Sequence, residues 1–101
     1  MSIKKKPLKS KSICKTTFKV ETAIANGATA ATLVGDFNNW DPAATPMKGL
    51  KDGSFTVQID LETGKEYQFR YLLDGKVWAN DKEADKYIAS QFGEKNCVVA
   101  L

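Results

Sequence analysis

The chain contains no histidine in its 101 residues, which removes the side chain most often used as a general base near neutral pH. Cysteine is nearly as scarce. Cys14 and Cys97 are the only two, and the absence of histidine and of clustered thiols argues against a zinc site. A pair of this kind reads as free thiols rather than as a disulfide. No apolar run approaches the length needed to cross a bilayer as a helix. The N-terminus has no hydrophobic segment of the kind that marks a secretory signal, so the expected location is cytoplasmic. No serine stands in a Gly-x-Ser-x-Gly context, the glycines make no phosphate loop, and no window alternates oxygen ligands as a calcium loop does. Carboxylates are present at Asp36, Asp41, Asp60, Asp74, Asp81 and Asp85. A glycosidase needs two of them facing each other across a cleft, whereas most here fall in turns, where aspartate bonds its own backbone. The residue inventory therefore argues against an enzyme and calls for no cofactor or metal.

What is present describes one globular domain. Hydrophobic residues make up 43% of the chain, an ordinary share for a folded domain of this length and too high for disorder. The net charge of +3 is unevenly spread. Lys4, Lys5, Lys6, Lys9, Lys11 and Lys15 lie in the first fifteen residues, and the remainder is slightly acidic. Residues 1–12 read as a solvated, disordered basic arm, and residues 13–101 as the folded domain. A lysine run can bind nucleic acid, but no aromatic is interleaved with these lysines to stack on bases, so nucleic acid is disfavoured as a partner.

Beyond the arm the dominant period is two. Phe18, Val20 and Ile24 alternate with Lys19 and Glu21. Phe55, Val57, Ile59 and Leu61 alternate with Thr56, Gln58 and Asp60. Tyr67, Phe69, Tyr71 and Leu73 alternate with Gln68, Arg70 and Leu72. This is the pattern of half-buried strands. Short runs at Thr29 to Val34 and Asn96 to Leu101 fit the same plan. Turn signals separate the runs at Asn26-Gly27, Asp41-Pro42, Asp52-Gly53, Thr63-Gly64 and Asp74-Gly75. The fold class expected is all-β, an antiparallel sandwich of about seven strands, with room for one helical turn between Lys82 and Ala89.

Two aromatics stand out. Trp40 closes the run Gly35-Asp36-Phe37-Asn38-Asn39-Trp40, and Trp78 follows Asp74-Gly75 by three residues. A tryptophan in a sandwich is either a core anchor or an exposed platform. As a platform it suits a sugar ring, whose C–H face packs flat on an indole while polar neighbours bond the hydroxyls. Alternation puts Arg70 on the outer face if Tyr67, Phe69 and Tyr71 are core. The facing of Trp78 depends on the turn. A two-residue Asp74-Gly75 turn sends it into the core opposite Tyr71, and Val77 then takes the outer position. A three-residue loop, which is favoured, puts Trp78 on the face of Arg70.

The run Gly35-Asp36-Phe37-Asn38-Asn39-Trp40-Asp41 resembles the Gly-x-Phe-Asn-x-Trp signature of carbohydrate-binding module family 48. That family includes the N-terminal early-set domains of isoamylases and glycogen branching enzymes and the glycogen-binding domain of AMP-activated protein kinase. The likeness continues in order through Tyr67-Gln68-Phe69-Arg70-Tyr71-Leu72-Leu73-Asp74-Gly75, Trp78-Ala79-Asn80-Asp81, Ala84-Asp85-Lys86-Tyr87 and Gln91-Phe92-Gly93-Glu94-Lys95-Asn96. It covers about Thr16 to Leu101.

The resemblance implies an immunoglobulin-like sandwich that binds α-1,4-glucans such as glycogen, starch and maltooligosaccharides without catalysing their reaction. It implies Trp40 and Trp78 as stacking platforms. Arg70 stands where the kinase domain has a lysine that bonds sugar hydroxyls, Phe92 where it has a leucine that props the sugar, and Asn96 matches an asparagine that bonds hydroxyls. Glu94 departs from the threonine found there. The implied partners are an α-glucan polysaccharide or oligosaccharide and an enzyme of the glycoside hydrolase family 13 type. Met1 and the close of the sandwich at Leu101 suggest a stand-alone module, and a monomer is expected. The alternative expectation is a structural or regulatory interaction domain that acts with a glucan-metabolising enzyme and binds no sugar itself.

Overall fold

In the computed structural model the described residues are 3–8, 12–81, 83–89 and 95–101. They form two antiparallel sheets packed face to face as an immunoglobulin-like sandwich. The first sheet holds β1 (Ile3–Pro7), β2 (Ile13–Val20), β4 (Lys48–Gly49) and β5 (Phe55–Glu62) in the order β1-β2-β5-β4. The second holds β3 (Ala31–Gly35), β6 (Glu66–Leu73), β8 (Lys86–Ala89) and β9 (Lys95–Ala100) in the order β3-β6-β9-β8, and β7 (Val77–Ala79) also pairs with β6. No helix among the described residues is long and apolar enough to cross a membrane.

The period of two in the sequence becomes an alternation of burial. On β2, Cys14, Thr16, Phe18 and Val20 are buried while their neighbours are half-exposed. On β6, Phe69, Tyr71 and Leu73 are buried on the inner face. Phe69 meets Phe18 across the sandwich at 5.0 Å and Tyr71 along its own strand at 5.6 Å. Both pairs are edge-on, the geometry that aligns one ring's positive rim with the other's negative face.

Several local expectations give way. Ile3–Pro7 is not part of a disordered arm but pairs with β2, with Ile3 opposite Phe18 and Lys5 opposite Thr16. Ile3 supplies the apolar contact, being buried in the core cluster. Lys5 faces the same way at the sheet edge, and its ammonium crosses to Asp85 of the other sheet at 2.7 Å. The strand is hard to read because that inward position is filled by a lysine. Ile24 does not continue the β2 alternation. The strand ends at Val20, and Thr22–Ala25 forms one helical turn, closed by Asn26 at φ 47°. In place of a helical turn before Ala89, Lys86–Ala89 is β8, paired with β9. Nine strands are present among the described residues where about seven are expected; besides β1 and β8, the sequence does not announce β4 and β7, which are too short to display a period.

Candidate functional site

The run from Gly35 to Trp40 is built residue by residue to turn the chain out of β3. A Cβ on Gly35 would lie 2.5 Å from the carbonyl oxygen of Gln68, 2.8 Å from Cβ of Phe69 and 2.9 Å from the Phe37 ring. Only glycine lets β3 approach β6 that closely. Asp36–Asn38 then forms a 3-10 turn. The Asn38 amide folds back over it. Its Oδ1 accepts from the Gly35 N–H at 3.0 Å, and its Nδ2 donates to the Leu33 carbonyl at 2.9 Å and to Thr45 Oγ1 at 3.0 Å. Phe37 turns inward, its ring 5.9 Å from Phe18 and 6.1 Å from Tyr67. Phe37 is therefore the core anchor of this run, and Trp40 stays half-buried.

Trp40 follows Asn39 in the left-handed region, at φ 57° and 58°. A bulky residue seldom occupies that region. Its indole N–H donates to Asp36 Oδ1 at 2.9 Å, and Asp36 Oδ2 accepts from the backbone N–H of Gln68 at 2.8 Å. The indole is thereby tied to β6.

The outer face of the second sheet carries three more of the predicted residues, Arg70, Trp78 and Asn96. β6 has β3 on one side. On its other side it has β9 against Glu66 to Phe69 and then β7 against Tyr71 to Leu73. Arg70 sits at the seam where one neighbour gives way to the next. The loop after β6 has three residues between the paired Leu73 and Val77, so Trp78 stands opposite Leu72, on the face of Arg70. Trp78 is 42% exposed, and the Arg70 guanidinium lies over its ring at 5.6 Å from the centroid, within cation–π range. Arg70 Nε donates to Asn80 Oδ1 at 2.8 Å, and Asn80 Nδ2 donates to the Lys95 carbonyl at 2.9 Å. Asn80 thus bridges β7 to β9 across the seam. Asn96, next along β9, donates to the Gln68 side chain at 3.1 Å.

The structure therefore brings Arg70, Trp78 and Asn96 together on one face and links Trp40 to it through Asp36 and Gln68. Phe92 lies outside the described residues. Sequence reasoning missed Asp36, Gln68 and Asn80 as members of this network. Gln68 shares the outward phase of Arg70, and Asn80 that of Trp78, so alternation alone would have found both. The face is also less polar than alternation suggests. Val34, Leu72 and Val98 are buried although they point away from the core. They stand opposite Arg70, Trp78 and Gln68 respectively, which sets polar and aromatic groups over an apolar floor.

Behind the seam lies a buried polar knot. Asp81 is fully buried. It accepts from the Tyr71 hydroxyl at 2.7 Å and from the Glu83 N–H at 2.8 Å, and its carbonyl accepts from the Tyr87 hydroxyl. Its own N–H meets Cys97 Sγ at 3.1 Å. Burial, reinforced by the Asp81 carboxylate, holds the Tyr71 phenol well above its ordinary range, and burial pushes the Cys97 thiol up to about 11. These groups fix the corner from which Asn80 reaches Arg70.

Two comparisons bear on this arrangement. The family described as carbohydrate-binding module 48 (isoamylase N-terminal domain) matches residues 14–92. A 1,4-alpha-glucan branching enzyme GlgB of Photobacterium profundum is 44% identical over 46 residues, which cover 45% of this chain and 6% of that protein. A 1,4-alpha-glucan branching enzyme GlgB of Aquifex aeolicus is 32% identical over 62 residues, covering 58% of this chain and 10% of that protein. The chain thus matches a tenth or less of the length of these curated relatives.

Proposed function

The chain belongs to the carbohydrate-binding module 48 (isoamylase N-terminal domain) family, and from that premise we propose that it is a non-catalytic module that binds α-1,4-glucans such as glycogen, starch and maltooligosaccharides. The observation that carries this reading is the exposed Trp78 indole with the Arg70 guanidinium beside it, on a face that also presents Asn96 and Gln68. The C–H face of a glucose ring packs on an indole, and the Trp40 indole is the second platform. The hydroxyls at the ring edge then exchange bonds with Arg70, Asn96, Gln68 and Asn80, with Phe92 as a further contact. Stacking on exposed aromatics is worth a few kcal/mol at most once the entropy of association is subtracted, so a weak affinity for short oligosaccharides is expected.

Isothermal titration with maltoheptaose and with glycogen, on the wild type and on Trp40→Ala, tests this reading. Saturable heat is expected from the wild type, weakened about tenfold or more in the variant. A folded wild type that gives no heat with either ligand overturns it.

A second reading is favoured by one observation: the curated relatives are branching enzymes of which the match covers only a small part. On this reading the module acts with a glucan-metabolising enzyme of the glycoside hydrolase 13 type and binds no sugar itself. It predicts co-sedimentation with a branching enzyme and tryptophan emission indifferent to maltoheptaose. We place the protein in the cytoplasm as a monomer. The buried free thiols Cys14 and Cys97 suit a reducing compartment.

A further inference from the structure

We propose that Asp36 is the positioning residue of the Trp40 platform, holding the indole by its ring N–H and registering it to β6. The consequence for glucan affinity rests on the reading above, whereas the clamp itself does not.

β3 leaves its ladder with β6 at the pair Gly35 and Phe69, so the next N–H along β6, that of Gln68, lies beyond the strand that would have accepted from it. Asp36 Oδ2 takes that place at 2.8 Å. The other oxygen, Oδ1, accepts from the Trp40 indole at 2.9 Å. One carboxylate therefore extends the ladder and anchors the ring. Indole has a single donor, so once that N–H is engaged the ring edge that carries it is pinned to β6, the strand that carries Gln68 and Arg70. The backbone does not do this unaided. Trp40 sits at φ 57°, a conformation that persists only where surrounding contacts enforce it. Two donors converge on Asp36, and a neutral amide of the same shape offers one acceptor where the carboxylate offers two. A platform held before the ligand arrives spares the ordering that binding otherwise requires.

The test uses Asp36→Ala, Asp36→Asn, Trp40→Phe and the Asp36→Ala/Trp40→Phe double variant. The Trp40 indole N–H resonance is the one of the two indole signals that Trp40→Phe removes. Asp36→Ala is expected to speed its exchange with solvent about tenfold and to weaken maltoheptaose binding about five- to tenfold, the factor carried by one charge-assisted hydrogen bond. Asp36→Asn shows the same trend in both readouts and serves where the alanine variant lowers the melting temperature. In the Trp40→Phe background, which keeps a ring but has no N–H, removing Asp36 changes the affinity by less than about twofold.

Unchanged indole exchange in both Asp36 variants overturns the clamp. So does an equal loss of affinity with and without the Trp40 N–H, which would mean that Asp36 acts through the fold. Faster indole exchange in a protein whose wild type binds no maltoheptaose supports the clamp and overturns the glucan reading instead.

Discussion

Gly35 leaves no room for a side chain, and the turn that presents Trp40 begins from it. The three nearest atoms to a Cβ at that position all lie under 3.0 Å, and one of them is a backbone oxygen that cannot rotate away. Gly35→Ala is therefore expected to destabilise the domain by about 2–3 kcal/mol, the range for forcing atoms into a close-packed site, measured by urea unfolding. Wild-type stability in that variant would show that β3 can move off β6. A second expectation concerns Cys97. Burial raises its thiol to about 11, and the thiolate is the reactive form, so iodoacetamide at neutral pH should leave it unmodified in the folded protein and alkylate it after unfolding. Modification of the native protein at the rate of a free thiol would contradict its burial. The aromatic run shows what was legible at this scale. That Gly35 to Trp40 formed a special turn could be read from residue types. That Phe37 rather than Trp40 enters the core depends on the 3-10 turn and the fold-back of Asn38, which no local period announces.

The β6–β7 hairpin shows the same division at the level of elements. Asp74-Gly75 was legible as a turn, and inward alternation along β6 was legible from Tyr67, Phe69, Tyr71 and Leu73. The sequence favours the three-residue loop that is found, but it leaves two lengths open because the choice is set by tertiary bonds. Asp74, at φ 52°, points its carboxylate at Thr29 and Ala30, where Oδ1 accepts from the Thr29 N–H at 2.8 Å, the Thr29 hydroxyl at 2.9 Å and the Ala30 N–H at 2.9 Å. The Thr29 hydroxyl bond, followed by the two N–H bonds, holds the carboxyl below its ordinary 3.8. At Asp85 burial pulls the other way, but the Ala100 N–H and the Lys5 ammonium outweigh it and the carboxyl is again held low. A carboxyl depressed in the folded state adds stability that is fully present above its unfolded value. That stability is lost as pH falls through the folded one. The melting temperature should therefore fall below about pH 4, and Asp74→Asn, which cannot titrate, should make that fall shallower. An acid limb as steep in the variant as in the wild type would mean that Asp74 plays no part in it. Strand β1 was the least legible element, since lysines fill Ile3–Pro7 around a single apolar anchor. Removal of residues 1–8 should cost about 2 kcal/mol through loss of Ile3 burial alone, read as a lower urea midpoint. An unchanged midpoint would mean that β1 contributes nothing.

The two sheets turn different faces to solvent. Outward on the first sheet, Lys4 aligns with Thr17 and Gln58, and Lys6 with Lys15 and Asp60, a charged surface with no aromatic platform along those rows. Outward on the second, Arg70 is engaged with Asn80 and Trp78 over the apolar floor of Val34, Leu72 and Val98. A neutral glucan on that second face should bind with little dependence on ionic strength, its affinity changing less than about twofold between 50 and 500 mM salt. A steep loss with salt would point to the lysine face instead. Glucan binding on the second face is tested most sharply by a chemical-shift titration of the whole chain with maltoheptaose. The Trp40 and Trp78 indoles and the Arg70 and Asn96 resonances are expected to move together along one binding curve, while Lys4, Thr17 and Gln58 stay still. No movement at the first set, or movement confined to the lysine face, would contradict it.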